Sequence, residues 1–235
     1  MNPLVRRTLP LFFACLALLG LAACSNEASE RKAFIEFLQT RVIDQPGLRV
    51  PKLSEADSKS LGQYADHYAV IGDFNASMDK VFSEAQPTLQ TLTSLSSPQA
   101  LMEGGAKIAD GRAALAGIKT ELASNVGKAK AGKAALQQTD DLKPVYQTAY
   151  VKTVEAPAAL MVRMLDETDS ALAQAQEFSA FLKTNQKDIQ FSGSQVQVES
   201  PALLEKLNAQ LQAMNEEGQK INAVQRELSA LINGS

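Results

Sequence analysis

Residues 61–92 read LGQYADHYAVIGDFNASMDKVFSEAQPTLQTL. Apolar side chains recur there at alternating steps of three and four: Leu61, Tyr64, Tyr68, Ile71, then Met78, Phe82, Ala85, Leu89 and Leu92. Asn75 fills the one polar slot between them. That spacing puts a single apolar stripe along one side of a helix, and the stripe is stable in water only when a second helix covers it. Ser54 with Asp57 three residues on has the form of a capping box and opens the helix. Uninterrupted from Ser54 to Thr93 it would be a rod of about 60 Å. Pro87 falls on the side away from the stripe, which predicts a kink rather than a break.

The rest of the chain supplies partners with the same grammar. A first helix is expected from Glu27 to about Asp44, with Phe34, Ile35, Leu38 and Val42 on one face and Gln45-Pro46-Gly47 ending it. Ser97-Pro98 starts another, running to about Gln138, with a seven-residue repeat of Leu101, Ile108, Leu115, Leu122, Ala129 and Leu136. Of its six glycines, Gly104, Gly111 and Gly132 lie on the stripe side, where close approach of a neighbouring helix is one explanation and a mobile, weakly stable helix the other; Gly105, Gly117 and Gly127 complete the set. Thr139-Asp140-Asp141 opens a further helix through Tyr146, Tyr150, Val154, Met161, Leu165, Leu172, Phe178 and Leu182, with Pro157 expected to bend it. Ile189-Gln190-Phe191 and Val196-Gln197-Val198 alternate around a Gly-containing turn and read as a small hairpin. The last helix runs from Ser200-Pro201 to about Ile232 on Leu204, Leu207, Leu211, Met214, Ile221, Leu228 and Ile232. Gly218 and Gln225 are the exceptions on that stripe. The expected fold is all-α: an elongated antiparallel bundle of four to five long helices with one small β-hairpin near 189–198.

Composition agrees. The chain has 235 residues, 45% of them hydrophobic, few aromatics and no Trp, a usage that favours helix over strand. Its formal charge is −3, and loss of the segment 1–23, which holds Arg6, Arg7 and no acid, makes it −5. A mildly acidic chain lacks the basic patches that nucleic acid requires. Both cysteines, Cys15 and Cys24, lie in the first 24 residues, so no disulfide framework is available beyond them.

The amino terminus has its own logic. Arg6 and Arg7 precede an uncharged apolar run from Leu9 to Ala23, too short to span a bilayer comfortably and shaped like a signal peptide. The run ends in Leu21-Ala22-Ala23-Cys24, which resembles a bacterial lipobox. That resemblance implies cleavage before Cys24, a diacylglycerol on its sulfur and an acyl chain on its new amine. The expected organisation is a lipoprotein signal peptide over 1–23 and a single helical-bundle domain with a short tether over 24–235. Each buried CH₂ contributes about 0.8 kcal/mol, so three chains hold persistently where one holds reversibly. Ser25, rather than Asp, follows the cysteine; by the sorting pattern of such lipoproteins this implies the outer membrane, facing the periplasm.

Two stretches carry a further resemblance: Arg31-Lys32-Ala33-Phe34-Ile35-Glu36-Phe37-Leu38-Gln39, and Asp140-Asp141-Leu142-Lys143-Pro144-Val145-Tyr146 continuing to Ala149, Lys152, Val154 and Pro157-Ala158. With the late hairpin, they resemble the YiaF-like lipoproteins, a bacterial family with no assigned reaction. The resemblance implies an envelope lipoprotein and brings no functional residue beyond Cys24.

No catalytic constellation is legible. Gly127-Lys128-Ala129-Lys130-Ala131-Gly132-Lys133-Ala134 nearly spells a phosphate loop, but Ala134 stands where a hydroxyl should reach Mg²⁺ and no strand precedes it. His67, the one histidine, neighbours Asp66 and reads as a surface residue without ligands at helical spacing. Glu216-Glu217 and Asp140-Asp141 read as solvated or capping acids. Lys119, Lys128, Lys130 and Lys133 read as a solvated face that could alternatively touch anionic head groups. Asn75 and Gln225 either fix register or sit where the bundle is open to water. The reading is a non-enzyme with no cofactor and no metal. It is attached to the membrane through Cys24 and serves as an interaction or scaffold module for an unidentified envelope protein. The alternative is a carrier of an apolar small ligand between the helices.

Overall fold

The computed structural model describes residues 26–95, 97–192 and 195–234, with backbone only over 88–93. Cys24 and the leader therefore lie outside the described residues, as do the side chains of Leu89 and Leu92. The fold is the expected all-α bundle with one small hairpin. The first helix, α1, covers 26–38 and ends in a π turn, Gln39–Ile43, closed by the Asp44 N–H on the Gln39 carbonyl at 2.9 Å. Gly47 at φ +66° then reverses the chain.

The helix expected over 54–93 is two helices. α2 spans Glu55–Leu61 behind the expected capping box: Ser54 Oγ accepts from the Asp57 N–H at 3.1 Å, and Asp57 Oδ2 accepts from the Ser54 N–H at 3.0 Å. α3 spans Tyr64–Thr93. The break is Gly62, at φ +53°, where any Cβ would run into the Glu30 carboxylate of α1. Pro87 stays within α3. The third expected helix is likewise split. α4 spans Pro98–Glu103, with Ser97 Oγ accepting from the Ala100 N–H at 3.1 Å, and α5 spans Gly105–Ala135. Gly104 between them is buried, and a Cβ there would strike Leu95 and the Ala100 carbonyl.

α6 spans Leu142–Tyr150 and α7 spans Ala156–Thr184. Where Pro157 was expected to bend one helix, a second π turn, Val151–Glu155, joins these two, with the Ala156 N–H reaching back to the Val151 carbonyl. Pro157 has no N–H to donate and its ring crowds the carbonyl four residues earlier, so the wider turn relieves that clash. β1 (Ile189–Ser192) pairs antiparallel with β2 (Gln195–Val198), Ile189 opposite Val198 and Phe191 opposite Val196. α8 spans Pro201–Asn233.

Neighbours follow chain order: α3 packs on α5, α5 on α7 and α7 on α8, each antiparallel to the last. Lys80 meets Glu121, Arg112 meets Asp169 and Arg163 meets Glu227 along these contacts. α1 and α6 lie at the end where α3 begins. The main core runs through Phe34, Leu38, Tyr68, Ile71, Ile108, Leu122, Tyr146 and Leu165, and a smaller cluster of Phe178, Leu182, Ile189, Leu203 and Leu207 seats the hairpin.

Three details of the apolar stripes differ from the sequence reading. On α3 the buried strip runs from Tyr64, Tyr68 and Ile71 through Phe74 and Met78 to Val81, while Phe82 is 45% exposed and Asn75 is half-buried. On α8, Leu203, Leu207 and Val224 are buried, whereas Leu204, Leu211 and Ile232 are more than 40% exposed and Gln225 faces solvent. α8 rests chiefly on α7, so its covered strip is narrower than its apolar one. The buried polar residues among those described are instead Asn125 on α5, Thr153 in the second π turn and Ser179 on α7.

Candidate functional site

Cys24 is the residue the sequence singles out, and the structure describes what it is joined to. α1 begins at 26, and its first turn is fastened to two other elements. The Asn26 amide donates to Glu30 at 2.6 Å, and Glu30 lies over Gly62. The Glu27 carboxylate accepts from the Tyr64 hydroxyl at 2.5 Å and from Arg31 at 2.9 Å. Arg31 reaches Asp141 at 3.2 Å, and Asp141 accepts from the Thr139 hydroxyl at 2.5 Å. One polar network thus ties the start of α1 to the start of α3 and to the loop before α6. Burial, reinforced by the Glu27 charge, pushes the Tyr64 phenol above its usual range; the Thr139 hydroxyl and then Arg31 hold Asp141 below its own.

Aromatic rings continue the joint inward. Phe34 stacks on Tyr64 at 5.6 Å and lies 6.3 Å from Tyr146, and Phe37 meets Tyr68 edge-on at 5.1 Å. His67 belongs to this cluster instead of the surface. Its ring stands edge-on to Tyr64 at 5.0 Å and to Phe34 at 6.3 Å, with Nδ1 buried and unpartnered. Burial lowers its pKa, against a smaller opposing effect of Asp66. A histidine in that setting is a packing residue, and no group of His, Cys, Asp or Glu among the described residues is arranged to hold a metal ion.

α1 is fastened at its far end as well. The Lys152 ammonium, presented by the second π turn, donates to the carbonyls of Val42 and Ile43 at 2.9 Å and of Gln45 at 2.5 Å. The first two are carbonyls of the kind a helix end leaves without intrahelical partners, and Gln45 lies in the loop just past it. Nothing in the spacing of the sequence announces Lys152; the Glu27–Arg31 pair, four residues apart, is the one part of the fastening that is legible there.

The other singled-out residues scatter. The phosphate-loop-like stretch lies within α5, where backbone N–H groups serve the helix. Lys119 pairs with Asp166 at 2.9 Å, and Lys133 pairs with Glu155 at 3.4 Å while its ammonium sits 4.3 Å above the Tyr150 ring. Lys128 and Lys130 are exposed, so the four do not form one cationic face. Several grooves are open among the described residues. The one beside the hairpin, about 680 Å³, is bordered by Lys187, Asp188, Gln190, Gln197, Glu199 and Lys206. The one between α3 and α5, about 410 Å³, has Asp66, Asp73 and Lys128 at its walls. The third, about 470 Å³, is lined by Val126, Tyr150, Val154, Ala158 and Val162 together with Lys130 and Glu155.

No helix among the described residues is long and apolar enough to cross a membrane. The chain is 27% identical over 212 residues to the uncharacterized protein YiaF of Escherichia coli strain K12, covering 86% of this chain and 89% of that protein. The uncharacterized protein YiaF of Shigella flexneri matches to the same extent. No solved structure matches. The kinship expected from the two sequence patches is therefore borne out. Since a family model described as a protein of unknown function matches residues 12–229, almost the whole chain, the protein belongs to the DUF3053 family.

Proposed function

We propose that this protein is a bacterial envelope lipoprotein, held in the outer membrane by lipid on Cys24. Its bundle faces the periplasm and works without catalysis as an interaction or scaffold module. The observation that carries this reading is the joint between leader and fold. A charge-free apolar run ends in a lipobox-like Leu21-Ala22-Ala23-Cys24, and two residues later a helix begins that is fastened to α3 and to the loop before α6. Growth of expressing cells with an alkyne fatty acid tests it. The reading expects label on the wild-type protein and none on Cys24→Ala; label that persists in the variant puts the lipid elsewhere and ends the proposal. Ser25→Asp should move the protein to the inner-membrane fraction, and crosslinking in intact cells should return an envelope protein.

The second reading, a carrier of a small apolar ligand, has one observation in its favour: the groove of Val126, Tyr150, Val154, Ala158 and Val162 between α5 and α7. An environment-sensitive naphthylamine dye should brighten on the protein and lose that signal in Val162→Lys. No brightening with the wild type removes this reading.

A further inference from the structure

We infer that the end of the bundle formed by the Gly62 turn and the loop 136–141 is a membrane-facing surface, resting on the lipid head groups around Cys24, and that the hairpin end is held away from the bilayer. The inference rests on the lipid anchor proposed above and goes beyond it, because an anchor by itself sets no orientation.

The argument starts from chain length. Only Ser25 stands between Cys24 and Asn26, and a residue spans at most about 3.6 Å, so the two Cα atoms lie within about 7 Å. That is less than the width of a single helix with its side chains, about 10 Å. Such a tether gives the fold no room to turn over unless the tether's root can swing, and the root is fastened. Asn26 holds Glu30 over Gly62, Glu27 holds Tyr64, and Arg31 holds Asp141. α3 and α6 start at this end and α5 stops here, so the long helices lead away from it. At 1.5 Å per residue, the 30 residues of α3 span about 45 Å toward the opposite end. The hairpin sits at that opposite end, packed on the last turns of α7 and the first of α8.

The chemistry of the face suits head groups without seeking charge. Gln63, Gln137 and Thr139 are exposed and neutral, Arg31 pairs with Asp141 and Lys143 with Asp140 at 3.0 Å, and the exposed Lys59 and Asp66 on either side of the Gly62 turn add one charge of each sign. Matched charges of this kind provide little attraction to anionic lipid, which acts on unmatched basic clusters. Acyl chains therefore supply the hold, the matched face supplies the resting surface, and attachment is insensitive to salt.

The test uses the lipidated full chain. The thioether at Cys24 removes the one thiol of the mature sequence, so Gln137→Cys and Gln195→Cys each introduce a single reactive site, both at exposed positions. Each is labelled with a fluorophore and reconstituted into phosphatidylethanolamine–phosphatidylglycerol vesicles carrying an energy acceptor on some head groups. The expected result is several-fold stronger quenching at 137 than at 195. A long Gly-Ser spacer inserted after Ser25 should abolish the difference while the protein stays on the vesicles. Equal quenching without the spacer, or stronger quenching at 195, in protein that still floats with the vesicles, overturns the orientation and leaves the anchor standing. Absence of lipid on Cys24, seen as a second reactive thiol and failure to float, overturns both.

Discussion

Gly117 and Gly127 lie inside α5 with nothing within 4 Å of where a Cβ would be, so no packing requirement opposes a methyl group at either. Glycine in a helix interior costs about 0.8–1.0 kcal/mol relative to alanine, chiefly because the unfolded glycine has more backbone freedom to lose. The two sites are ten positions apart, about 15 Å along the axis, far enough for their effects to add. Gly117→Ala combined with Gly127→Ala should therefore stabilise the protein by about 2 kcal/mol. For a chain of this size that raises Tm by about 4–8 °C. Gly132→Ala is the internal control, because its Cβ would stand 3.2 and 3.3 Å from the two methyl carbons of Val70 on α3. The α3–α5 contact must give way there, so this variant should gain nothing or lose stability. Urea and thermal unfolding of the purified protein, followed by helical circular dichroism, measure all three. A double variant no more stable than the parent, or a Gly132→Ala that gains as much as either single change, would refute the assignment of open and closed sides to α5.

Lys152→Met leaves three carbonyls at the end of α1 without their charged donor and should destabilise by about 2 kcal/mol, with faster amide exchange confined to residues 39–48. Unchanged exchange there would mean that water replaces the ammonium at no loss. The Tyr150 hydroxyl is buried with no partner among the described residues, so Tyr150→Phe should be neutral or stabilising by about 1 kcal/mol in urea unfolding; a clear loss would reveal a partner. His67 has a folded-state pKa below the ordinary 6.5, so the unfolded chain binds the proton more readily. Its contribution is complete above about pH 6.5 and is lost as the pH falls through the folded value. His67→Phe should flatten that part of the stability–pH curve, and a slope identical to the wild type's would show that other groups carry it.

The sequence announces helices better than it announces their ends. Tyr146, Tyr150, Val154, Met161, Leu165, Leu172, Phe178 and Leu182 were readable as one apolar face, and all eight are buried. The hairpin strands were readable from period-two alternation, because a two-stranded element on a helical floor must turn alternate residues down. The breaks at Gly62 and Gly104 were not legible: the apolar spacing carries on through both, and the neighbour that leaves no room for a side chain at each is a residue distant in sequence or in the preceding loop, Glu30 or Leu95. The shift from Phe82 to Val81 has a similar origin. α3 leaves the company of α1 and the second π turn and continues against α5, so the covered strip rotates along the helix while the heptad pattern does not. Exposed Leu204 and Leu211 show the converse, an apolar strip wider than the one neighbour that covers it. Cys24 was legible because a lipobox is a local signal. The fastening behind it needed coordinates, because Tyr64, Arg31 and Asp141 meet only once three elements have converged.

The loop after α1 is also joined to the end of α8. The Leu48 N–H donates to the Ile232 carbonyl at 3.2 Å, and a Cβ at Gly47 would collide with the backbone of Ile232 and Asn233. The two sides of this clasp are far apart in sequence, so it stays open until the last turn of α8 has been made. Closure of the loop after α1 must wait for Ile232 and Asn233, and a change at either of these acts on that loop as directly as a change within it.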